Sequence, residues 1–249
     1  MAAIRIGLSG YSYRPWQGEG RFYPEDLKPA EFLSYYSRRY DTVELDGTWY
    51  RIPAETMIQA WLAHTPAGFL FSPKAHRQIT HLRRLKPEAM ESVRFMIERF
   101  ASLAAAGRLG PILLQLPPNL RRDDGRLEAF LSGLPEGPRW AMEFRHPSWN
   151  VVEIETVMRQ HRIAWVAAET DEVPAERRDT ADFRYARLRR SDYDDVRLRE
   201  WARWFQEAAD TGKDCFVFLK HEDEGSPWIW ADRLLALTKI VGEEEVRRR

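Results

Sequence analysis

The sequence predicts a single (β/α)8 TIM barrel, on three observations. Short apolar or alternating runs bounded by Gly, Pro and Asp alternate with helical runs, giving eight strands and seven credible helices in 249 residues. Side chains that carry chemistry gather at the C-terminal ends of the strands, whereas the opposite ends begin on Thr42, Phe69, Pro111 or Ile163. Gly7 and Gly10 lead into a long aromatic loop and not into a helix, which argues against a doubly wound dinucleotide-binding sheet. No composition shift marks a linker. One domain is expected over residues 1–249, with irregular loops after strands one and six and a charged, fraying tail over 244–249.

Residues 4–8 read as the first strand and open into the Gly- and aromatic-rich loop 7–24. Pro29 starts a helix over 29–40, with Phe32, Leu33, Tyr36 and Tyr40 at helical spacing. Strand two is 42–45, followed by a helix over 55–64 that Pro66-Ala67-Gly68 breaks. Strand three is 69–74. The segment carrying His76, Arg77, Thr80 and His81 reads as a loop, with phosphate binding as one use, before a long helix over 87–106, closed by Gly107. Strand four is 111–116, ended by Pro117-Pro118, and a helix follows over 125–131. The turn 134–138 feeds strand five, 139–144, which Pro147 stops; the next helix is 151–161. Strand six is 163–168, and the polar link after it, with Pro174, shows no helix. Strand seven is 183–188, its amphipathic helix 196–209, strand eight 215–219 and the last helix 227–240.

Composition narrows the function classes. Hydrophobic content of 44% and charged content of 31% are ordinary for a soluble globular protein. Lys+Arg 38 against Asp+Glu 38 leaves no general basic coat for nucleic acid. The single Cys215 excludes an intrachain disulfide, fits a reducing compartment and sits in an apolar run as a small hydrophobe. No apolar run approaches the roughly 18 residues of a membrane span, and the first residues are already strand, so a cytoplasmic protein is expected. The sequence carries no signal for an oligomeric state.

The strand ends read Ser9, Tyr11 and Tyr13; Glu44 and Asp46; Lys74 and His76; Gln115; Glu143, Arg145 and His146; Glu169 and Asp171; Arg187 and Arg189; Lys220, His221 and Glu222. The densest is 139–149, a strand that delivers an acid, a guanidinium, an imidazole and the Trp149 indole. For any one residue an ion-pair network is an equal explanation. For the ensemble it is weaker, because several buried charges cost more than apolar packing. Glu44, Glu143, Glu169, Asp171, His146 and His221 are of metal-ligand type, but no H-E-x-x-H signature accompanies them and Lys74, Arg145, Arg187 and Lys220 crowd the same ends. The expectation is therefore a site without metal or cofactor, taking an anion. Glu44 with Glu143 is also the pair a glycosidase reading would use.

Several motifs, in order along nearly the whole chain, resemble the YecE-like family, also called domain of unknown function family 72. They are GLSGYSYRPW with FYP, VELDGTWYRIP, Trp61 through TPAGFLFSPKAHRQITH, GPILLQLPP, EFRHPSW, TADFRYARL and the helix around Trp201. The resemblance implies a TIM barrel with a polar pocket at the strand C-termini, and implies no activity. Carried over by motif, the pocket set is Tyr11, Glu44, Tyr50, Lys74, Gln115, Glu143, Arg145, His146, Trp149 and Arg187. The chain departs from the pattern at Leu219-Lys220-His221, where the family has an Asn pair, and at Arg189-Arg190, where it has His-Gly.

The leading expectation is a metal-independent enzyme or ligand-binding protein for a small anionic or polyhydroxylated substrate. Glu143 or Glu44 serves as general acid or base, Lys74 and Arg187 hold negative charge, Gln115 orients, and Trp149 with Tyr11 walls the pocket. A second reading is a nucleic-acid-binding or processing protein, by analogy to endonuclease-IV-type barrels. It draws on exposed aromatics of the first loop and on Arg83-Arg84, Arg121-Arg122, Arg177-Arg178 and Arg189-Arg190. A third is a catalytically silent sensor or scaffold.

Overall fold

The structure, a computed structural model, describes residues 2–220 and 226–248. Its strands are β1 (Ile4–Ser9), β2 (Thr42–Leu45), β3 (Leu70–Pro73), β4 (Ile112–Gln115), β5 (Trp140–Glu143), β6 (Ala164–Glu169), β7 (Phe183–Leu188) and β8 (Asp214–Leu219). The α-helices are α1 (Phe32–Tyr36), α2 (Glu55–Ala63), α3 (Ala89–Arg99), α4 (Ala101–Ala105), α5 (Asp124–Ser132), α6 (Val152–Gln160), α7 (Asp195–Asp210) and α8 (Pro227–Arg248). The sheet runs β3-β2-β1-β8-β7-β6-β5-β4, and its two ends meet through the parallel bridges Phe71↔Leu109 and Lys74↔Leu113. This is the (β/α)8 TIM barrel, with no helix between β6 and β7.

Contacts group the chain into two compact units, one of Met1–Val43, Ala167–Glu176 and Asp182–Arg249, the other of Glu44–Val166 and Arg177–Ala181. In the first, β1 and β7 flank β8 in parallel register, Ile4 opposite Cys215 and Arg187 opposite Phe218. The Tyr36 hydroxyl accepts from Leu8 N at 2.7 Å and donates to Thr42 O at 2.9 Å, tying α1 to β1 and to the start of β2. Strand and chain pass so closely that a Cβ on Gly7 would lie 2.2 Å from Thr42 O. Backbone cannot yield as a flexible side chain can. Gly7→Ala is therefore expected to cost about 3 kcal/mol or more, the upper end of ordinary overpacking, measured as a lower urea midpoint with unchanged slope.

Trp16, Phe22 and Tyr23 of the first loop are 5%, 2% and 0% exposed. Tyr23 stacks on Phe32 at 4.1 Å and Phe22 on Tyr40 at 6.0 Å. These rings fill the core, which corrects the expectation of exposed first-loop aromatics. The helix expected over 29–40 is also shorter. It opens as a 3-10 turn, Pro29–Glu31, and after Tyr36 it tightens, Arg38 N bonding Tyr35 O and Arg39 N bonding Tyr36 O. Cys215 is buried and free, as its apolar run predicts. The helix α8 reaches Arg248 where 240 and a frayed tail were expected. Its Glu and Arg residues are good helix formers, and Glu244 faces Arg199 of α7 at 3.8 Å.

In the second unit, β4 pairs β5 with Gln115 opposite Glu143. The long helix expected over 87–106 divides at Phe100, which leaves helical geometry (φ −91°, ψ 8°) and is fully buried. The loop expected around His81 contains a single π turn, Gln78–Leu82, followed by Arg84 and Leu85 at φ 49° and 61°. Phe71 stacks on Trp61 of α2 at 5.5 Å, so strand alternation turns Ser72 and Lys74 to the opposite face.

Candidate active site

The best-defined chemistry of the second unit is at the ends of β4 and β5. Parallel register puts Gln115 beside Glu143, and the amide Nε2 of Gln115 donates to both carboxylate oxygens at 2.9 Å. Two residues on, Arg145 returns to the same side, and its Nε donates to Oε1 of Glu143 at 2.9 Å. The carboxylate is 3% exposed and the guanidinium side chain 30%, so a buried acid is fixed by one buried and one solvent-reaching donor. Glu44, at the end of β2 in the same unit, is fully buried.

Lys74 follows β3 and is shaped by its neighbours. The Thr48 hydroxyl lies 2.7 Å from both Leu45 O and Lys74 O, which docks the 3-10 turn Asp46–Trp49 onto the strand end. The Trp49 ring then sits 5.3 Å from the Lys74 ammonium, a cation–π distance. The indole N–H of Trp49 points at His81 Nδ1, 3.4 Å away, and Thr80 Oγ1 is 2.8 Å from the same nitrogen. Burial first, then the charges of Lys74, Arg145 and Arg84, hold the His81 imidazole below the usual histidine range.

The remaining expected residues separate by environment. Tyr50 is 66% exposed against Trp49. His146 caps the 3-10 turn Pro147–Trp149, its Nδ1 accepting from Ser148 N at 3.1 Å. Trp149 is 1% exposed, donates to Leu120 O at 2.7 Å and stacks on Phe144, so the indole props the β5 end from within the core. In the first unit Arg187 is 1% exposed with Nη2 3.4 Å from Ser9 Oγ, and Tyr11 is half-buried beside Tyr36.

Glu169 and Asp171, grouped in the sequence with strand-end ligands, have other employment. Glu169 accepts from Trp201 Nε1 at 2.8 Å and faces Arg197 at 3.3 Å, anchoring β6 to α7. Burial and the Glu169 charge push the Tyr193 hydroxyl well up, since that hydroxyl bonds the same carboxylate. Asp171 accepts from Ser191 N at 3.1 Å. Among the described residues no three of His, Cys, Asp and Glu converge as a metal-ligand set. His221 and Glu222 lie outside the described residues.

Each of the four basic pairs has an arginine with a partner within the chain. Arg84 holds Asn119, Arg122 chelates Asp124, Arg178 pairs with Glu155 over the Trp165 ring, and Arg190 faces Asp171. With the first-loop rings buried as well, no observation favours the nucleic-acid reading. Sequence reasoning left His81 and Trp49 out of the pocket set. Their contact spans 32 positions, and only a histidine within a cation-rich segment hinted at it.

Comparison with known proteins follows the same lines. The family model described as "Protein of unknown function DUF72" matches residues 5–248. The UPF0759 protein YunF of Bacillus subtilis (strain 168) is 29% identical over 153 residues, 59% of this chain and 52% of YunF. The UPF0759 protein YecE of Escherichia coli (strain K12) is 29% identical over 147 residues, 59% of this chain and 50% of YecE. The aligned region thus spans about half the length of these curated relatives. The crystal structure of a DUF72 family protein from Thermotoga maritima superposes with TM-score 0.82 at 26% identity, covering 96% of this chain and 99% of that one. A xylose isomerase-like TIM barrel protein from Mycobacterium smegmatis shares the fold alone, at TM-score 0.59 and 9% identity over 98% of this chain and 99% of that one. Among the described residues no helix is long and apolar enough to cross a membrane.

Proposed function

The chain belongs to the DUF72 family of proteins of unknown function, and from that premise we propose that it is a proton-transfer enzyme for a small anionic or polyhydroxylated substrate. The observation that carries the reading is the buried Glu143 carboxylate, oriented by Gln115 and Arg145 at the end of β5. A carboxylate fixed at a strand end takes a proton from a bound C–H and returns it to the neighbouring atom. Charge that develops on a substrate oxygen during this transfer is offset by Lys74 and Arg145. Glu44 is the second acid of the same unit. The reaction is read as metal-independent, with the cations Lys74 and Arg145 in the place a metal ion would take. Treatment with a chelator is expected to leave the rate unchanged, and loss of rate restored by a divalent ion contradicts this.

A thermal-unfolding screen tests the substrate class. The probes are inorganic phosphate, hydroxy acids, neutral sugars and sugar phosphates. A ligand at 100 times its Kd stabilises by about 2.7 kcal/mol, equivalent to roughly 5–10 °C for a chain of this size. At least one anionic or polyhydroxylated probe is expected to produce that shift, and Lys74→Gln to lose most of it for anions. A panel without any stabiliser, or anion shifts indifferent to Lys74→Gln, speaks against the reading.

A further inference from the structure

We propose that His81, Lys74 and Arg145 form an oxyanion subsite for a phosphoryl or carboxylate group, in which His81 donates through Nε2 as a neutral imidazole. The inference deepens the proposed function and rests on it only for the substrate that carries the group.

The tautomer follows from the neighbours. Indole N–H is a donor only, so Trp49 Nε1, 3.4 Å from His81 Nδ1, requires that nitrogen to accept. Thr80 Oγ1, at 2.8 Å, then donates its proton there too. The one hydrogen of the neutral ring is left on Nε2. Protonating Nδ1 would set its N–H against that of Trp49, whose ring stands edge-on to the imidazole at 4.9 Å and 84°.

The charges point the same way. Lys74 comes from the end of β3, Arg145 from beyond β5 and Arg84 from the segment after the π turn, and all three cations act on His81. A second positive charge on the ring is disfavoured in this field and an anion beside it is favoured. The backbone holds the imidazole in place. His81 lies in the π turn Gln78–Leu82, a feature frequent at functional sites. Arg84 and Leu85 take left-handed backbone that non-glycine residues adopt only when the surroundings hold them there. Here Leu85 is 2% exposed with its N–H on Ile79 O, and the Arg84 guanidinium grips Asn119. A neutral donor in the field of these cations binds an oxyanion without giving up a proton to it.

Long-range 1H–15N spectra of histidine-labelled protein test this, with His81→Gln to assign the signal and inorganic phosphate and acetate as probes. The expected spectrum is the Nε2–H form, with a titration midpoint below about 6.5, the ordinary value. Phosphate, acetate or both are expected to move the Nε2 signal and raise that midpoint, and Lys74→Gln to weaken the response about tenfold, as for one lost charge-assisted hydrogen bond. Phosphate alone identifies a phosphoryl subsite, acetate alone a carboxylate subsite, and both a general oxyanion subsite. An Nδ1–H form, or a signal indifferent to both anions, overturns the proposal. The spectra need no turnover, so the anion response is decided separately from the proton-transfer reading.

Discussion

Glu143→Gln is expected to lower turnover by about 10²–10⁴, the usual contribution of a general acid or base, while the protein unfolds at nearly the same urea concentration. The amide has the carboxylate's shape, and Gln115 can turn its own amide over to accept from it. Arg145 loses a partner at Oε1, but its side chain is 30% exposed and water takes the vacant contact. The stability cost is then on the order of 1 kcal/mol, that of one hydrogen bond. Turnover and the unfolding midpoint are measured on the same preparation. Intact turnover with a large stability loss would make Glu143 a strut of the strand ends.

The second large effect is expected at Glu169. Its carboxylate is 3% exposed and receives the Trp201 indole, the Tyr193 hydroxyl and Arg197. Among the described residues there is no helix between β6 and β7, and this cluster joins the end of β6 to α7. Glu169→Ala strands the donors of Trp201 and Tyr193 in the interior, and a loss of about 3–5 kcal/mol is expected, as for breaking a buried pair from one side. Glu169→Gln keeps an acceptor and should lose less than half as much. Urea unfolding of both variants decides it. Equal stability of Glu169→Ala and the parent protein would contradict this structural role.

Strand positions were legible because β-branched and aromatic runs between turn residues leave few alternatives. β2 and β7 start and stop where the pattern does. That Glu143 and Arg145 share one side was legible for the same reason, since a two-residue spacing returns a side chain to one side of extended backbone, but their bond to each other was not. Aromatic roles were not. The Trp149 indole next to a strand end reads equally as pocket wall or core, and only the bond to Leu120 O and the stack on Phe144 assign it to the core. The first-loop rings misled likewise, because a Gly-rich loop suggests exposure while Trp16, Phe22 and Tyr23 fold back onto α1 and α8. The break at Phe100 and the π turn before Arg84 answer to tertiary packing, which local helical spacing does not encode. His81 was legible as a histidine of a loop suited to phosphate, but its surroundings were not, because Trp49, Lys74 and Arg145 come from three other elements.

Proton transfer at Glu143 is the central claim, and solvent exchange reads it without knowledge of the product. The protein is incubated in deuterium oxide with hydroxy acids, aldoses, ketoses and their phosphate esters, and carbon-bound protons are followed by 1H NMR. The predicted result is deuterium entering one carbon position of a compound that also stabilises the protein, at a rate proportional to protein and lost in Glu143→Gln. Stabilising compounds that exchange no proton, or exchange that continues at the parent rate in Glu143→Gln, would contradict it.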